Sequence, residues 1–278
     1  MRDPREISRR DAAAMGAEAR AIGESGRYTA PSGAVVDVGW RVERAREDTT
    51  SHPPGDSIAM PSIGAHRTRI TVREESTLEA AKRLRDADLD PVALNFASAR
   101  HPGGGFLSGA RAQEESLCRA SALYACIAGQ PMYDHHNAVR DVMYTSWMLY
   151  SPCVPVFRDD DGTLLEAPWS CAFITAPAPN VKELRNRAPE RLAQLPGVMD
   201  ERIERILALA ALREHRSVVL GAWGCGAFGG ESELVASRFA SALHGAFEGV
   251  FEEVVFAVLD TSPERKTIGP FERRFRGG

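Results

Sequence analysis

The sequence has no surplus of positive charge. Its 278 residues carry 34 Lys and Arg against 38 Asp and Glu, a formal net charge of −4. A basic face that would hold nucleic acid non-specifically is therefore not expected. An anionic ligand would have to be held locally, by backbone N–H groups and a few Arg or Lys side chains. Paired cysteines are also missing. Cys118, Cys126, Cys153, Cys171 and Cys225 are odd in number, widely spaced and free of any Cys-x-x-Cys pattern. That argues for a reduced intracellular protein and against a disulfide framework or a zinc site. No apolar run approaches the roughly 20 residues of a membrane helix, and Met1–Glu6 has no apolar signal region. The expectation is a cytoplasmic monomer without membrane contact. With no internal repeat and no low-complexity linker, residues 1–278 read as one domain, residues 1–65 being an N-terminal extension packed on it.

What is present is an alternation of helical and strand patterns. Ala, Met and Ile at helical spacing predict a helix over 8–24, ending near Gly26. Residues 34–38 and 66–73 read as strands, the latter near a sheet edge, with a mobile Ser/Thr/Pro/Gly-rich loop over 48–65 between them. Ser76 and Glu79 form a capping box that opens a helix to about Ala87. A short apolar strand follows at 91–97, then a glycine-rich loop, then a helix from Gln113 to Ala128. Several strands are expected in 141–176 around a turn at Asp159–Gly162. An amphipathic helix covers 198–214, a buried strand 217–222, a helix 231–247 and a last strand 253–259, and a basic tail closes the chain. The pattern predicts helices layered on both faces of a mixed sheet.

Two glycine-rich loops stand at matching strand–helix junctions. Residues 91–97 feed His101-Pro102-Gly103-Gly104-Gly105-Phe106, and residues 217–222 feed Gly224-Cys225-Gly226-Ala227-Phe228-Gly229-Gly230. Ligands of open α/β sheets bind beyond the carboxyl ends of the strands. Glycine lets consecutive N–H groups turn toward a phosphate, and helix N-termini add partial positive charge. A pyrophosphate suits both loops. Taken alone, Gly224, Gly226 and Gly229 also fit the dinucleotide-binding G-x-G-x-x-G. Their late position, a single further strand, and an acidic residue (Glu248) that follows a helix all weigh against an oxidoreductase.

Gln113-Glu114-Glu115 opens the helix after the first loop. Acidic residues favour a first helical turn on macrodipole grounds alone, but here they lie beside a phosphate-type loop. Neighbouring helical residues point about 100° apart, so the two carboxylates are expected to differ in role. A carboxyl group there can protonate a leaving oxygen, and its conjugate base can then activate water. Cleavage of a glycosidic bond by that route passes through an oxocarbenium-like state.

Gly103-Gly104-Gly105, seven residues, then Gln113-Glu114-Glu115 resembles the signature of poly(ADP-ribose) glycohydrolases. Leu94-Asn95-Phe96-Ala97 and Gly224-Cys225-Gly226-Ala227-Phe228 resemble the bacterial, macrodomain-type branch. The likeness covers roughly 76–130 and 169–262. It implies a three-layer α/β/α macrodomain-like fold that needs no cofactor and no metal. It also implies exo-acting hydrolysis of ribose–ribose bonds in poly(ADP-ribose) on ADP-ribosylated proteins, releasing ADP-ribose. Glu115 would be the acid and base, Glu114 would orient the leaving ribose, and Gln113 would fix the loop. Gly103, Gly104 and Gly105 would lie along the diphosphate or proximal ribose, with Ala97 and Ser98 beside them; Ser98 stands where animal relatives tend to carry Asn. Gly224, Cys225, Gly226 and Ala227 would close over the diphosphate, and Phe228 would pack on the distal ribose. Thr267 and Phe271 would flank the adenosine end. A macrodomain that binds ADP-ribose without cutting it is the competing reading, though a reader has no need of vicinal glutamates. His135-His136 reads as part of a solvated loop, Cys225 as a packed residue, and Arg273, Arg274 and Arg276 as a solvated tail.

Overall fold

The computed structural model describes residues 7–62 and 64–276, so the signal-region expectation for Met1–Glu6 lies outside the described residues. In chain order the elements are α1 (Arg9–Ser25), β1 (Arg27–Thr29), β2 (Val35–Asp37), α2 (Gly39–Glu47), β3 (Thr50–His52), β4 (Arg69–Arg73), α3 (Thr77–Asp86), β5 (Pro91–Phe96), α4 (Gln113–Ala120), α5 (Leu123–Ile127), α6 (Pro131–Val139), β6 (Met148–Arg158), β7 (Leu164–Ala176), α7 (Val181–Arg187), α8 (Leu195–Leu212), β8 (Ser217–Leu220), α9 (Ser232–Leu243), β9 (Glu253–Ala257) and α10 (Ile268–Phe275), with 3-10 turns at Phe106–Ser108 and Pro189–Gln194. β1 and β2 form a separate hairpin. The other seven strands are ordered β3-β6-β7-β5-β8-β9-β4. β5, β8, β9 and β4 are parallel neighbours, whereas β3, β6 and β7 pair antiparallel. The fold is mixed α/β, as the alternation predicts, and β4 ends the order as an edge.

Two units divide the chain. One holds Met1–His52, Asn95–Val139 and Trp147–Thr175; the other holds Pro53–Leu94, Arg140–Ser146 and Ala176–Gly278. In the first unit, α1 opens on Ser8, whose hydroxyl accepts the Asp11 N–H, and closes on Gly26 at φ +70°, where glycine relieves the left-handed strain. Its buried face is Ala12, Gly16, Ala19 and Ile22. The expected helix 113–128 is broken at Ser121, which is extended, bridges Val156, and returns its hydroxyl to the Leu117 carbonyl at 2.7 Å. A side chain that bonds its own backbone competes with the helical ladder in this way. The loop expected over 48–65 contains β3, which borrows its hydrogen bonds from β6; a strand of three residues carries too little pattern to be read locally.

In the second unit, Ser76 and Glu79 make both bonds of the capping box. β8 and β9 are buried throughout, as parallel strands covered on both faces should be. The buried Glu253 carboxylate on β9 is paired with Arg69 and with Arg83. The basic tail is corrected to a helix: Phe271 and Phe275 of α10 set their rings 5.2 and 4.5 Å from that of Phe256, and Arg273 pairs with Glu233. Asp260 accepts hydrogen bonds from the Ser262 N–H and hydroxyl and from the N–H groups of Thr267 and Ile268. These donors outweigh burial and hold its carboxyl well below the usual range. Asp260→Ala is expected to cost roughly 1–3 kcal/mol, because two N–H groups at the start of α10 lose their acceptor. The folded-state depression places the Asp260 contribution above the ordinary aspartate range, and it is lost as pH falls below that range. Thermal melts of both proteins from pH 7 to pH 3 should therefore converge toward acid.

Candidate active site

The end of β5 and the start of α4 are sewn together by side chains. Gln113 Oε1 accepts the Phe96 N–H at 2.9 Å, tying the first helical residue to the last strand residue. Glu114 Oε2 accepts the Ser98 N–H at 2.7 Å, and its Oε1 accepts Gly103 N–H at 3.2 Å and Asn95 Nδ2 at 3.5 Å. Glu115 Oε1 accepts the Gly105 N–H at 2.9 Å. The remaining glycine N–H, that of Gly104, goes to the His101 carbonyl at 2.9 Å. All three amides of the triglycine loop therefore face protein acceptors. The expectation that they hold a phosphate is corrected: the Glu114 and Glu115 carboxylates in the first turn of α4 take two of them and the His101 carbonyl takes the third. What this loop keeps open is its bare Cα surface.

The carboxylates also converge, despite the angle between neighbouring helical residues. A Cβ on Gly104 would collide with Glu115 Oε1 and lie 3.1 Å from Glu114 Oε2. Gly104 sits at φ +58° and Gly103 at φ +73°, so left-handed backbone is what brings the loop over both acids. They differ in surroundings. Glu114 is 3 % exposed and Glu115 8 %. Burial, resisted by the Ser98 N–H and reinforced by the charge of Glu115, pushes the Glu114 carboxyl up to about 8. Like charges this close cannot both ionise readily, so the pair retains a proton near neutrality. Among the described residues Glu115 Oε2 makes no hydrogen bond, leaving it available to a ligand.

Several side chains behind the pair were not singled out from the sequence. Asn95 is fully buried and donates to Thr175 Oγ1 at 3.2 Å as well as to Glu114. Arg119, one turn beyond Glu115, is buried and donates to the Ala110 carbonyl at 2.5 Å and the Ser116 hydroxyl at 3.0 Å. The signal for Asn95 was a polar residue in an otherwise apolar strand. Arg119 gave none, since an arginine within a helical pattern is ordinary. Ala97 is buried and Ser98 half-buried in the turn after β5. The His135-His136 expectation is corrected: both lie on α6, and His136 is buried, its Nδ1 3.3 Å from the Ala99 carbonyl, while Asn137 donates to Arg100 O at 3.0 Å. The helix thus fastens the turn that carries Ser98. Among the described residues no group of three or more His, Cys, Asp and Glu is arranged to hold a metal.

In the second unit, the loop after β8 is closed by Gly230 N–H to Gly224 O at 2.9 Å and Gly229 N–H to Gly226 O at 3.0 Å, and the Phe228 carbonyl accepts Lys182 N–H at 2.8 Å. Among the described residues the N–H groups of Gly226, Ala227 and Phe228 make no hydrogen bond, and Gly226 and Ala227 are exposed. Successive open amides of this kind form an anion-binding concavity. Gly224 is left-handed at φ +79°, and a Cβ there would sit 2.7 Å from that of Ala178. Cys225 is half-buried, and burial pushes its thiol up to about 11, away from the range in which a thiolate forms readily. Phe228 is half-buried with its ring 6.0 Å from that of Tyr144. Trp223 is core, its indole N–H bonded to Ala176 O at 3.0 Å. Thr267 is half-buried and held through its N–H by Asp260. Phe271 is 0 % exposed, and packing against Phe256 explains it, which corrects the expectation that its ring flanks adenosine.

Comparison with known proteins finds one matching family and several similar solved structures. The family described as microbial-type PARG, catalytic domain, matches residues 17–159. The crystal structure of poly(ADP-ribose) glycohydrolase from Thermomonospora curvata is similar at 46% identity over 96% of this chain and 100% of that one, with a TM-score of 0.90. The same enzyme bound to the inhibitor ADP-HPD matches at 45% identity over 96% and 100% of the two chains, with a TM-score of 0.88. The Deinococcus radiodurans glycohydrolase in complex with ADP-ribose matches at 41% identity over 87% and 99%, with a TM-score of 0.82. Among curated proteins no significant match is found.

Proposed function

This chain belongs to the microbial-type poly(ADP-ribose) glycohydrolases, and from that premise we propose that it cuts ribose–ribose O-glycosidic bonds of poly(ADP-ribose), mainly at the chain end, and releases ADP-ribose. The observation that carries this reading is the convergence of Glu114 and Glu115 on Gly104. Glu115, with one oxygen unengaged, protonates the ribose oxygen that leaves as the glycosidic bond breaks. The resulting oxocarbenium-like centre takes a water, whose proton returns to the Glu115 carboxylate while its oxygen bonds the anomeric carbon. One residue thus serves as acid and then base, and the net change is addition of one water.

Glu114 holds the geometry. Each carboxylate oxygen accepts about two hydrogen bonds. Oε1 already takes Gly103 and Asn95 while Oε2 takes only Ser98, so one site remains for a ribose hydroxyl. Gly103, Gly104, Gly105, Ala97 and Ser98 offer a surface without bulk against the proximal ribose. The open amides of Gly226, Ala227 and Phe228 suit a diphosphate, with Gly224 and Cys225 shaping that loop and the Phe228 ring against the distal ribose. Thr267 stays with the adenosine end of the ligand. The natural substrate is polymer on ADP-ribosylated proteins, met by a cytoplasmic monomer. A reduced compartment is in keeping with five unpaired cysteines, and among the described residues no helix is long and apolar enough to cross a membrane.

The direct test is release of ADP-ribose from labelled polymer by the purified chain. Tight ADP-ribose binding with no release would leave a reader in place of an enzyme. The raised Glu114 carboxyl adds a second expectation. Glu114 gives up its proton only above about 8, which places a second buried negative charge beside the reacting carboxyl, so kcat/KM should fall as pH rises past that value. A rate that still climbs at pH 9 would contradict a shared proton.

A further inference from the structure

We infer that helix α1 is a positioning element of the active site, acting through the contact between Gly16 and the backbone of Phe106. The inference rests on the glycohydrolase reading and adds to it a residue far from the motif in sequence. Gly16 lies on the buried face of α1, and a Cβ there would stand 2.5 Å from the Phe106 carbonyl oxygen and 3.1 Å from its carbon. Backbone cannot rotate away as a side chain would, so any larger residue has to push the 3-10 turn Phe106–Ser108. Two further contacts fasten the same turn to the same helix. Arg9 Nε donates to the Ser108 carbonyl at 3.0 Å, and the left-handed Gly109 lies against the Arg9 carbonyl, with its absent Cβ 2.9 Å from Arg9 Cγ.

From that turn the displacement passes directly to the acids. Phe106 is 1 % exposed, and its ring lies tilted against that of Tyr124 with centroids 4.8 Å apart. A Cβ on Gly103 would meet the Phe106 ring at 2.9 Å and the Tyr124 ring at 3.2 Å, so the aromatic pair is the floor of the triglycine loop. Phe106 N–H bonds the Gly103 carbonyl at 3.2 Å, and Ser108 N–H and Ala110 N–H bond that of Gly105 at 3.0 and 3.1 Å. Gly103 and Gly105 are the residues whose N–H groups hold Glu114 and Glu115. Helix, turn, glycine loop and carboxylates form one run of backbone contacts, and the absent side chain at residue 16 sets its height.

The test compares Gly16→Ala with Gly23→Ala on the same helix of the full chain. Alanine favours a helix over glycine, so neither change should weaken α1 itself. A Cβ on Gly23 only reaches ordinary contact, 3.5 Å from the Ala125 Cβ. Gly16→Ala is expected to lower kcat on polymer at least about tenfold per folded molecule, with KM little changed, because sub-ångström misplacement of reacting groups costs rate more than binding. Its kcat–pH profile should also shift, since the N–H donors to the carboxylates have moved. Gly23→Ala should match the wild type in both. A Gly16→Ala enzyme with wild-type kcat, or one whose loss is only the unfolded fraction with a superimposable pH profile, overturns the inference. If Gly16→Ala does not fold, Arg9→Ala decides, because its side chain is exposed: a several-fold lower kcat supports the inference and an unchanged kcat refutes it. An inactive wild type would instead defeat the glycohydrolase reading itself.

Discussion

Gly104→Ala is expected to lower kcat on poly(ADP-ribose) by about 10²-fold while the protein stays folded. Two effects act together at this position. Alanine at φ +58° carries roughly 1–2 kcal/mol of left-handed strain. The larger effect is local: the new methyl would collide with Glu115 Oε1 and approach Glu114 Oε2, so one or both carboxylates must withdraw from the loop. Glu115 then loses the Gly105 N–H and the place from which it reaches a leaving oxygen. Gly129→Ala separates the two effects. Gly129 has a similar φ of +77° with nothing within 4 Å of a Cβ, so it should cost similar stability with no loss of rate. Equal rate losses in both variants, measured with a melt for each, would show that strain and not the carboxylates sets the effect.

Glu115→Gln should reduce polymer hydrolysis further, by about 10³- to 10⁴-fold, because one group is both acid and base in this scheme and no second carboxylate replaces it. The amide keeps the size of the carboxyl, and its oxygen can still accept the Gly105 N–H, so the loop should hold its shape. ADP-ribose affinity is expected to stay within a few-fold of the wild type. This separates the variant from Gly104→Ala, where the loop itself is displaced.

The carboxylates were legible in the sequence because their chemistry is local: three glycines, a fixed interval, then Gln113-Glu114-Glu115. The capping box, the buried parallel strands and the edge strand β4 were legible for the same reason, each being written in a few adjacent residues. What was not legible depends on contacts distant in sequence. The amides of Gly103 and Gly105 turn to the acids and not to a phosphate, and only the folded loop reveals which acceptor wins. β3 exists because β6 offers it partners. The tail looked solvated from its arginines, yet Phe271 and Phe275 at helical spacing dock it on Phe256. Gly16 of α1 gave no catalytic signal, since a buried glycine in an alanine-rich helix has the same local pattern whether or not a carbonyl lies against it.

The central claim is that Glu115 supplies the proton that breaks the ribose–ribose bond. Single-turnover release of ADP-ribose from end-labelled polymer, wild type beside Glu115→Gln, each with its ADP-ribose affinity measured by calorimetry, tests it most directly. Expected are rapid release by the wild type, at least a thousandfold slower release by the variant, and closely similar affinities. Comparable release rates at equal affinity would contradict it.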